Sequence, residues 1–322
     1  MTKPFTSIDN QINLLQERNL YFNDLIKAKS FLMLNNYYNV VNCFSRFFIS
    51  NKMTDEFIKG TNFDEIIAIH NFDREIKMVF FNRILDIEMH LKSISSHIFS
   101  SRHSKPYDYL IATNYSDSDI LEVTTIVSTF TKTINSLKVK KNPSITHYLN
   151  KHKQIPLWVL INHFDFGQVQ KFINILNKGE QNQVAFQLSQ LLANNLNISK
   201  SNFTVEEMIT AIDVIRDLRN VIAHNNKLID FQSAKNIRFN SHLHTKYMIT
   251  PTEPKQSVYQ IFIIMQAFLN YGQYANLHNT LLKRFKTLSS KLNTISINDV
   301  ICTLGFPIDW HVNSDKIDQN IK

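Results

Sequence analysis

Between Val205 and Ala223 the apolar residues Val205, Met208, Ile209, Ala211, Ile212, Val214, Ile215, Leu218, Val221, Ile222 and Ala223 recur at helical spacing. They cover most of a helix surface, so the segment reads as a helix buried on several sides. Thr204-Val205-Glu206-Glu207 fits a capping box at its start, and Asn225-Asn226 follow the last apolar residue at its end. A buried helix of this kind demands a body of other helices around it.

The rest of the chain supplies that body. Five glycines and seven prolines in 322 residues leave few breaks. Helix-period patterns run near residues 7–18, 22–34, 36–49, 64–98, 118–137, 144–152, 156–178, 182–196, 204–224, 255–287 and 296–303. The expected fold is all-α, a helical bundle with an N-terminal helical extension over residues 1–60 and a core over 61–322. No run of about 18 uninterrupted apolar residues exists, and Met1-Thr2-Lys3-Pro4-Phe5-Thr6 lacks the apolar stretch of a signal peptide. Cys43 and Cys302 in apolar surroundings suggest a reducing compartment, and the expected location is the cytoplasm.

Four polar residues interrupt the apolar helix. Asp213, Asp217, Asn220 and His224 are spaced four, three and four apart, which makes one stripe down one face. Arg216 and Arg219 flank it. A polar atom taken out of water without a partner costs on the order of 1–3 kcal/mol, so such a stripe needs either partners or a purpose. The bare arginine-to-histidine spacing is weak, since Arg83 to His90 and Arg238 to His244 also match it. The first of these lies on a helix with scattered charges and the second in an aperiodic polar stretch. A purely structural reading makes Asp213, Asp217, Arg216 and Arg219 an internal ion-pair network, with His224 a helix-end residue.

A formal charge of +8 is compatible with a polyanionic partner, of which nucleic acid is the commonest. Lys138, Lys140 and Lys141 form one basic cluster, and Lys151 and Lys153 another. Each alone reads equally well as a solvated loop. Tyr37 and Tyr38, with Phe44, Phe47 and Phe48 nearby, have the composition of a base-stacking platform. An aromatic stripe at helical spacing is more often core. His242-Leu243-His244 would set two imidazoles on one side of a strand, a bare pair that is usually solvated. No paired-cysteine metal motif is present, and neither metal nor cofactor is expected.

Arg219-Asn220-Val221-Ile222-Ala223-His224 resembles the ribonuclease motif of the HEPN superfamily. The remainder resembles the AbiD/AbiF-like abortive-infection proteins of bacteria over nearly its whole length. The pattern begins at Lys3-Pro4-Phe5 with Gln11-Ile12 and continues through Asn36-Tyr37-Tyr38, Phe72-Asp73-Arg74-Glu75-Ile76 and Ile87-Glu88. His147-Tyr148-Leu149, Pro156-Leu157-Trp158-Val159-Leu160 and Phe166-Gly167-Gln168 follow, and Leu304-Gly305-Phe306-Pro307 with Trp310 closes it. Where many members have Arg, Gly and Tyr after the double tyrosine, this chain has Asn39, Asn42 and Phe44. Where many have a second histidine and a tryptophan after the motif, it has Asn225 and Ile229.

The resemblance implies a HEPN-like core, metal-independent RNA cleavage and a site formed where the motif helices of a homodimer face each other. It also implies a toxin used in phage defence and restrained or directed by a structured noncoding RNA. The residue types suit cleavage through the ribose 2′-OH. An imidazole manages protons near neutral pH. Arg219 holds non-bridging phosphate oxygens, and Asn220, one turn before His224, orients the imidazole or the phosphate. Asp213 or Asp217 would set Arg216 or Arg219 in place. Two readings compete with this endoribonuclease: a catalytically silent RNA-binding HEPN protein that forms a ribonucleoprotein, and a helical interaction module in which the stripe is only structural.

Overall fold

The computed structural model describes residues 5–116 and 119–318; Lys3 and Pro4 of the family pattern, and Ser118 at the expected start of a helix, lie outside the described residues. The fold is all-α, 68% helical with 3% strand. In chain order, α1 (Ile8–Glu17) and α2 (Leu25–Asn35) lead to a small hairpin of β1 (Ile49–Asn51) and β2 (Glu56–Phe57). The long α3 (Phe63–Arg102) follows, then α4 (Ile120–Val139), α5 (Pro143–His152), α6 (Leu157–Leu160), α7 (Phe166–Ile175) and α8 (Lys178–Leu196). The motif helix is α9 (Val205–Ala223). Short α10 (Ser241–His244) and α11 (Val258–Ile264) precede α12 (Tyr271–Ser289), α13 (Ile297–Ile301) and α14 (Trp310–Asn313). Among the described residues no helix is long and apolar enough to cross a membrane.

The chain divides into two compact units. One takes the chain up to Phe80, then Val221–Phe231 and Ala275–Asp318. Its core centres on the fully buried Phe285, whose ring lies 5.3 Å from Phe72, 4.8 Å from Phe306 and 5.2 Å from Trp310. Leu304, Phe306 and Trp310 are thus packing residues, and the exposed Gly305 between them sits at φ 83°, where a side chain would be strained. In the same unit the buried carboxylate of Glu65 accepts from the backbone N–H groups of Asn293 (2.7 Å) and Thr294 (2.9 Å) and from the Thr294 hydroxyl (2.6 Å). That set of donors anchors the loop after α12.

The second unit takes Phe81–Asn220 and Gln232–Tyr274. Its aromatic cluster joins Phe99, Tyr115, Phe130, Phe164 and Phe172, with Phe130 and Phe164 stacked at 5.0 Å. Two segments that read as single helices by periodicity are broken here, each by a cap that restarts the helix. At 156–178 the Asp165 carboxylate accepts from the Gln168 N–H and Gln168 reaches back to the Asp165 N–H, both at 2.9 Å. A Cβ on Gly167 would stand 3.3 Å from that capping oxygen, which is the close approach this glycine permits. At 255–287 a 3-10 turn at Met265–Ala267 interrupts, and Asn270 with Gln273 caps the restart. Buried Asn195 donates to the carbonyls of Gln266 and Leu269, each at 2.7 Å, satisfying backbone groups the break exposes.

The 36–49 segment also departs from its periodicity. Asn36 ends α2 with φ 60°, a π turn spans Tyr38–Asn42, and a 3-10 turn at Ser45–Phe48 runs into β1. His242 and His244 lie in α10 and not on a strand, so their side chains do not share the one side that strand spacing would give them.

Candidate functional site

The motif helix begins as its sequence indicates. Thr204 Oγ1 accepts from the Glu207 N–H at 3.2 Å, and Glu207 accepts from the Thr204 N–H at 2.7 Å. The polar stripe is buried at its start and solvent-exposed at its end. Asp213 is 6% exposed, Arg216, Asp217 and Arg219 are half-buried, and Asn220 and His224 are exposed.

The buried part is fully engaged, all within the second unit. Gln170 of α7 donates to one oxygen of Asp213, and the Lys235 ammonium pairs with the other. The same Gln170 accepts from Arg216 through its amide oxygen at 2.6 Å. Asp217 lies 3.6 Å from Arg216 and accepts from the Ser233 hydroxyl at 2.7 Å. Asp213 and Asp217 therefore set Arg216 in place, the first through Gln170. Gln170 and Lys235 were not among the residues the sequence singled out. A glutamine on the apolar face of α7, where Val169 and Phe172 are buried, was the available signal.

Arg219 differs from Arg216. Among the described residues it has no carboxylate partner, and its Nη1 reaches only the side-chain oxygen of the adjacent Asn220, at a long 3.4 Å. Arg219 as a residue is half-buried.

In the first unit the chain leaves the helix through a Schellman turn. The Asn225 N–H donates to the Ile222 carbonyl at 2.9 Å and the Asn226 N–H to the Val221 carbonyl at 3.0 Å, with Asn225 at φ 53°. His224 is the C-cap residue of this turn, and its imidazole is exposed. The turn is clamped from α3. Asp73 and Lys77 form a buried ion pair at 3.0 Å. Lys77 also donates to Asn225 Oδ1 at 2.9 Å and to the Asn226 carbonyl at 3.3 Å, while Asp73 accepts from the N–H groups of Leu228 (2.8 Å) and Ile229 (3.3 Å). Asp230 is then held by Arg46 at 2.6 Å and Lys227 at 3.2 Å. Asp73 appears in the family pattern, but its role in fixing the residues after His224 is visible only in the structure.

Of the competing arginine-to-histidine pairs, Arg83, His90 and His244 serve the fold, while Arg238 is exposed. Arg83 is paired with Asp86 at 2.8 Å, and His90 donates to the Phe268 carbonyl at 2.8 Å. His244 is completely buried, with Nδ1 2.8 Å from the Asn240 N–H, and burial pulls its pKa down to about 4. Of the outlying candidates, Tyr38 is exposed and Tyr37 half-buried, with burial pushing the Tyr37 phenol up. Phe44 and Phe48 are core residues, and Arg46 lies over the Phe47 ring at 4.7 Å. Lys138, Lys140, Lys141, Lys151 and Lys153 are all exposed around the α4–α5 turn and the end of α5.

Comparison with known proteins gives one family. The Abi-like protein family matches residues 30–230, a span that holds the α3 clamp, Gln170 and the whole of the motif helix. No curated protein and no solved structure matches the chain. With most of its length inside that match, the chain belongs to the Abi-like family of abortive-infection proteins.

Proposed function

We propose that this Abi-like protein is a metal-independent endoribonuclease of the HEPN type, acting in the cytoplasm as a toxin of phage defence. The observation that carries the reading is the contrast between two neighbouring arginines. Arg216 is engaged by Gln170 and Asp217, whereas Arg219, with Asn220 and His224 after it, has no ion pair among the described residues. Of the three matches to the arginine-to-histidine spacing, this one joins an arginine without a carboxylate partner among the described residues to an exposed histidine.

In this reading His224 takes the proton from a ribose 2′-OH as that oxygen attacks the adjacent phosphorus. The phosphorus–O5′ bond breaks, leaving a 2′,3′-cyclic phosphate and a 5′-hydroxyl that has gained a proton. Arg219 holds the non-bridging oxygens as negative charge develops, and Asn220 orients the imidazole or the phosphate. Two copies of the chain would bring their motif helices together in a homodimer, and a structured noncoding RNA would restrain or direct the activity.

The test is cleavage of labelled RNA by the purified protein in EDTA, beside His224→Ala and Arg219→Ala. Products ending in cyclic phosphate, lost in both variants while RNA binding is retained, support the reading. RNA binding with no cleavage by the wild type would instead make the chain a silent RNA-binding protein. Sedimentation of the wild type tests the dimer separately.

A further inference from the structure

The chain's positive charge is concentrated in one stretch. Residues 123–164 contain no Asp or Glu, yet they hold Lys132, Lys138, Lys140, Lys141, Lys151 and Lys153, six charges against a net of +8 for the whole chain. The fold gathers much of this stretch around α4. That helix buries Val123, Ile126, Phe130 and Ile134, whereas Lys132 and Ser136 are exposed, Thr133 is half-buried and Lys140 is its exposed C-cap residue. Phe164, stacked on Phe130, holds the preceding His163 beside them. Together these residues line a groove of about 530 Å³ within the second unit. Lys132, Lys140 and His163 make no side-chain hydrogen bond or ion pair among the described residues, and no carboxylate lines the groove. The neighbouring turns keep lysines where the backbone disfavours them. Lys141 has φ 50° and Lys153 φ 60°, positions that glycine or asparagine occupies at less cost.

We infer that this groove is an RNA-docking site, with Lys132, Lys140 and His163 on the phosphates of a single strand and the Thr133 and Ser136 hydroxyls on its phosphate or ribose oxygens. The choice of RNA over other polyanions rests on the ribonuclease reading above. Two ammonium groups and an imidazole without internal partners, beside hydroxyls, suit a phosphodiester backbone; the nearest carboxylate, Asp165, is engaged in capping Gln168. None of the motif residues lines the groove, so in this inference it positions RNA and does not cleave it.

The test is fluorescence anisotropy of a short labelled single-stranded RNA over a range of salt, in the His224→Ala background so that cleavage cannot mimic lost binding. Lys132→Gln/Lys140→Gln is expected to weaken binding roughly ten- to thirtyfold at moderate salt and to lower the log–log salt slope by about 1.4, about 0.7 per phosphate contact. Lys283→Gln/Lys291→Gln, an equal charge change at exposed positions outside the groove, is expected to leave the slope unchanged. Unaltered affinity and slope in the groove variant would overturn this inference and leave the nuclease reading standing. A wild-type chain that binds no RNA would overturn both. Inorganic polyphosphate that competes as well as unlabelled RNA at equal phosphate would overturn RNA as the groove's ligand.

Discussion

Lys77 donates to the side-chain oxygen of Asn225 across 2.9 Å, tying the middle of α3 to the residue that follows His224. The ammonium is buried, and Asp73 is its charge partner. Removing one member of such a pair leaves the other charged and out of water. Lys77→Ala is therefore expected to destabilise the protein by about 3–5 kcal/mol. Asn225→Gly keeps a residue suited to φ 53° and loses only the acceptor, for about 1–2 kcal/mol. Urea unfolding of the two variants checks both the order and the sizes; equal losses would mean that the clamp is not what holds this turn.

Arg216 and Arg219 are expected to separate stability from activity. Arg216→Ala removes a partner of Gln170 and Asp217, and should cost about 1–3 kcal/mol. Arg219→Ala breaks only a long contact to its neighbour, so its stability should lie within about 0.5 kcal/mol of wild type. If Arg219 holds the transition-state charge, that nearly silent change lowers cleavage about 10²- to 10³-fold. Denaturant midpoints and single-turnover rates on the same preparations decide it. A strongly destabilised Arg219→Ala with normal residual cleavage would return the stripe to a structural role.

The helical body and the ends of the motif helix were legible in the sequence because they depend on local rules. Thr204 with Glu207, and Asn225 after the last apolar residue, are caps whose partners lie within a few residues. Two breaks escaped periodicity for a related reason. Apolar residues recur at Ile161, Phe164 and Phe166 and at Met265, Ala267, Phe268 and Leu269, so the burial pattern alone runs across the caps at Asp165 and Asn270. The division of the polar stripe was not legible at all. Whether an arginine is engaged depends on residues far away in sequence: Gln170 reaches Arg216, Lys235 reaches Asp213, and among the described residues nothing comparable reaches Arg219.

Asn195 is the most exacting of these distant partners. Its amide nitrogen serves two buried carbonyls at once, those of Gln266 and Leu269. Asn195→Leu should cost about 2–5 kcal/mol by leaving both carbonyls without it. Asn195→Asp should be worse than the leucine variant at neutral pH, because it turns acceptors toward acceptors in a buried site. Thermal or urea unfolding of the pair gives the comparison. An aspartate variant as stable as wild type would show that the break between α11 and α12 is satisfied some other way.

His244 makes the protein acid-sensitive. Its imidazole is fully buried, Nε2 has no hydrogen-bond partner among the described residues, and burial pulls the pKa down to about 4. In the unfolded chain the same group takes up its proton near pH 6.5, at about its ordinary value. Between those two values the unfolded state holds more protons than the folded one, so stability falls as the pH falls. The loss begins near pH 6.5, grows until the folded group itself protonates near pH 4, and amounts to at most about 3 kcal/mol. His244→Asn keeps an acceptor near the Asn240 N–H and cannot titrate. It is expected to start less stable at neutral pH, because it leaves a small cavity, yet to lose less stability on acidification. His70, His278 and His311 are shifted downward by burial as well, so the variant keeps a residual slope. Urea midpoints measured from pH 7 to pH 5 separate the outcomes: a flatter profile for His244→Asn is expected, and parallel profiles would mean that His244 gains its proton without unfolding the site around it.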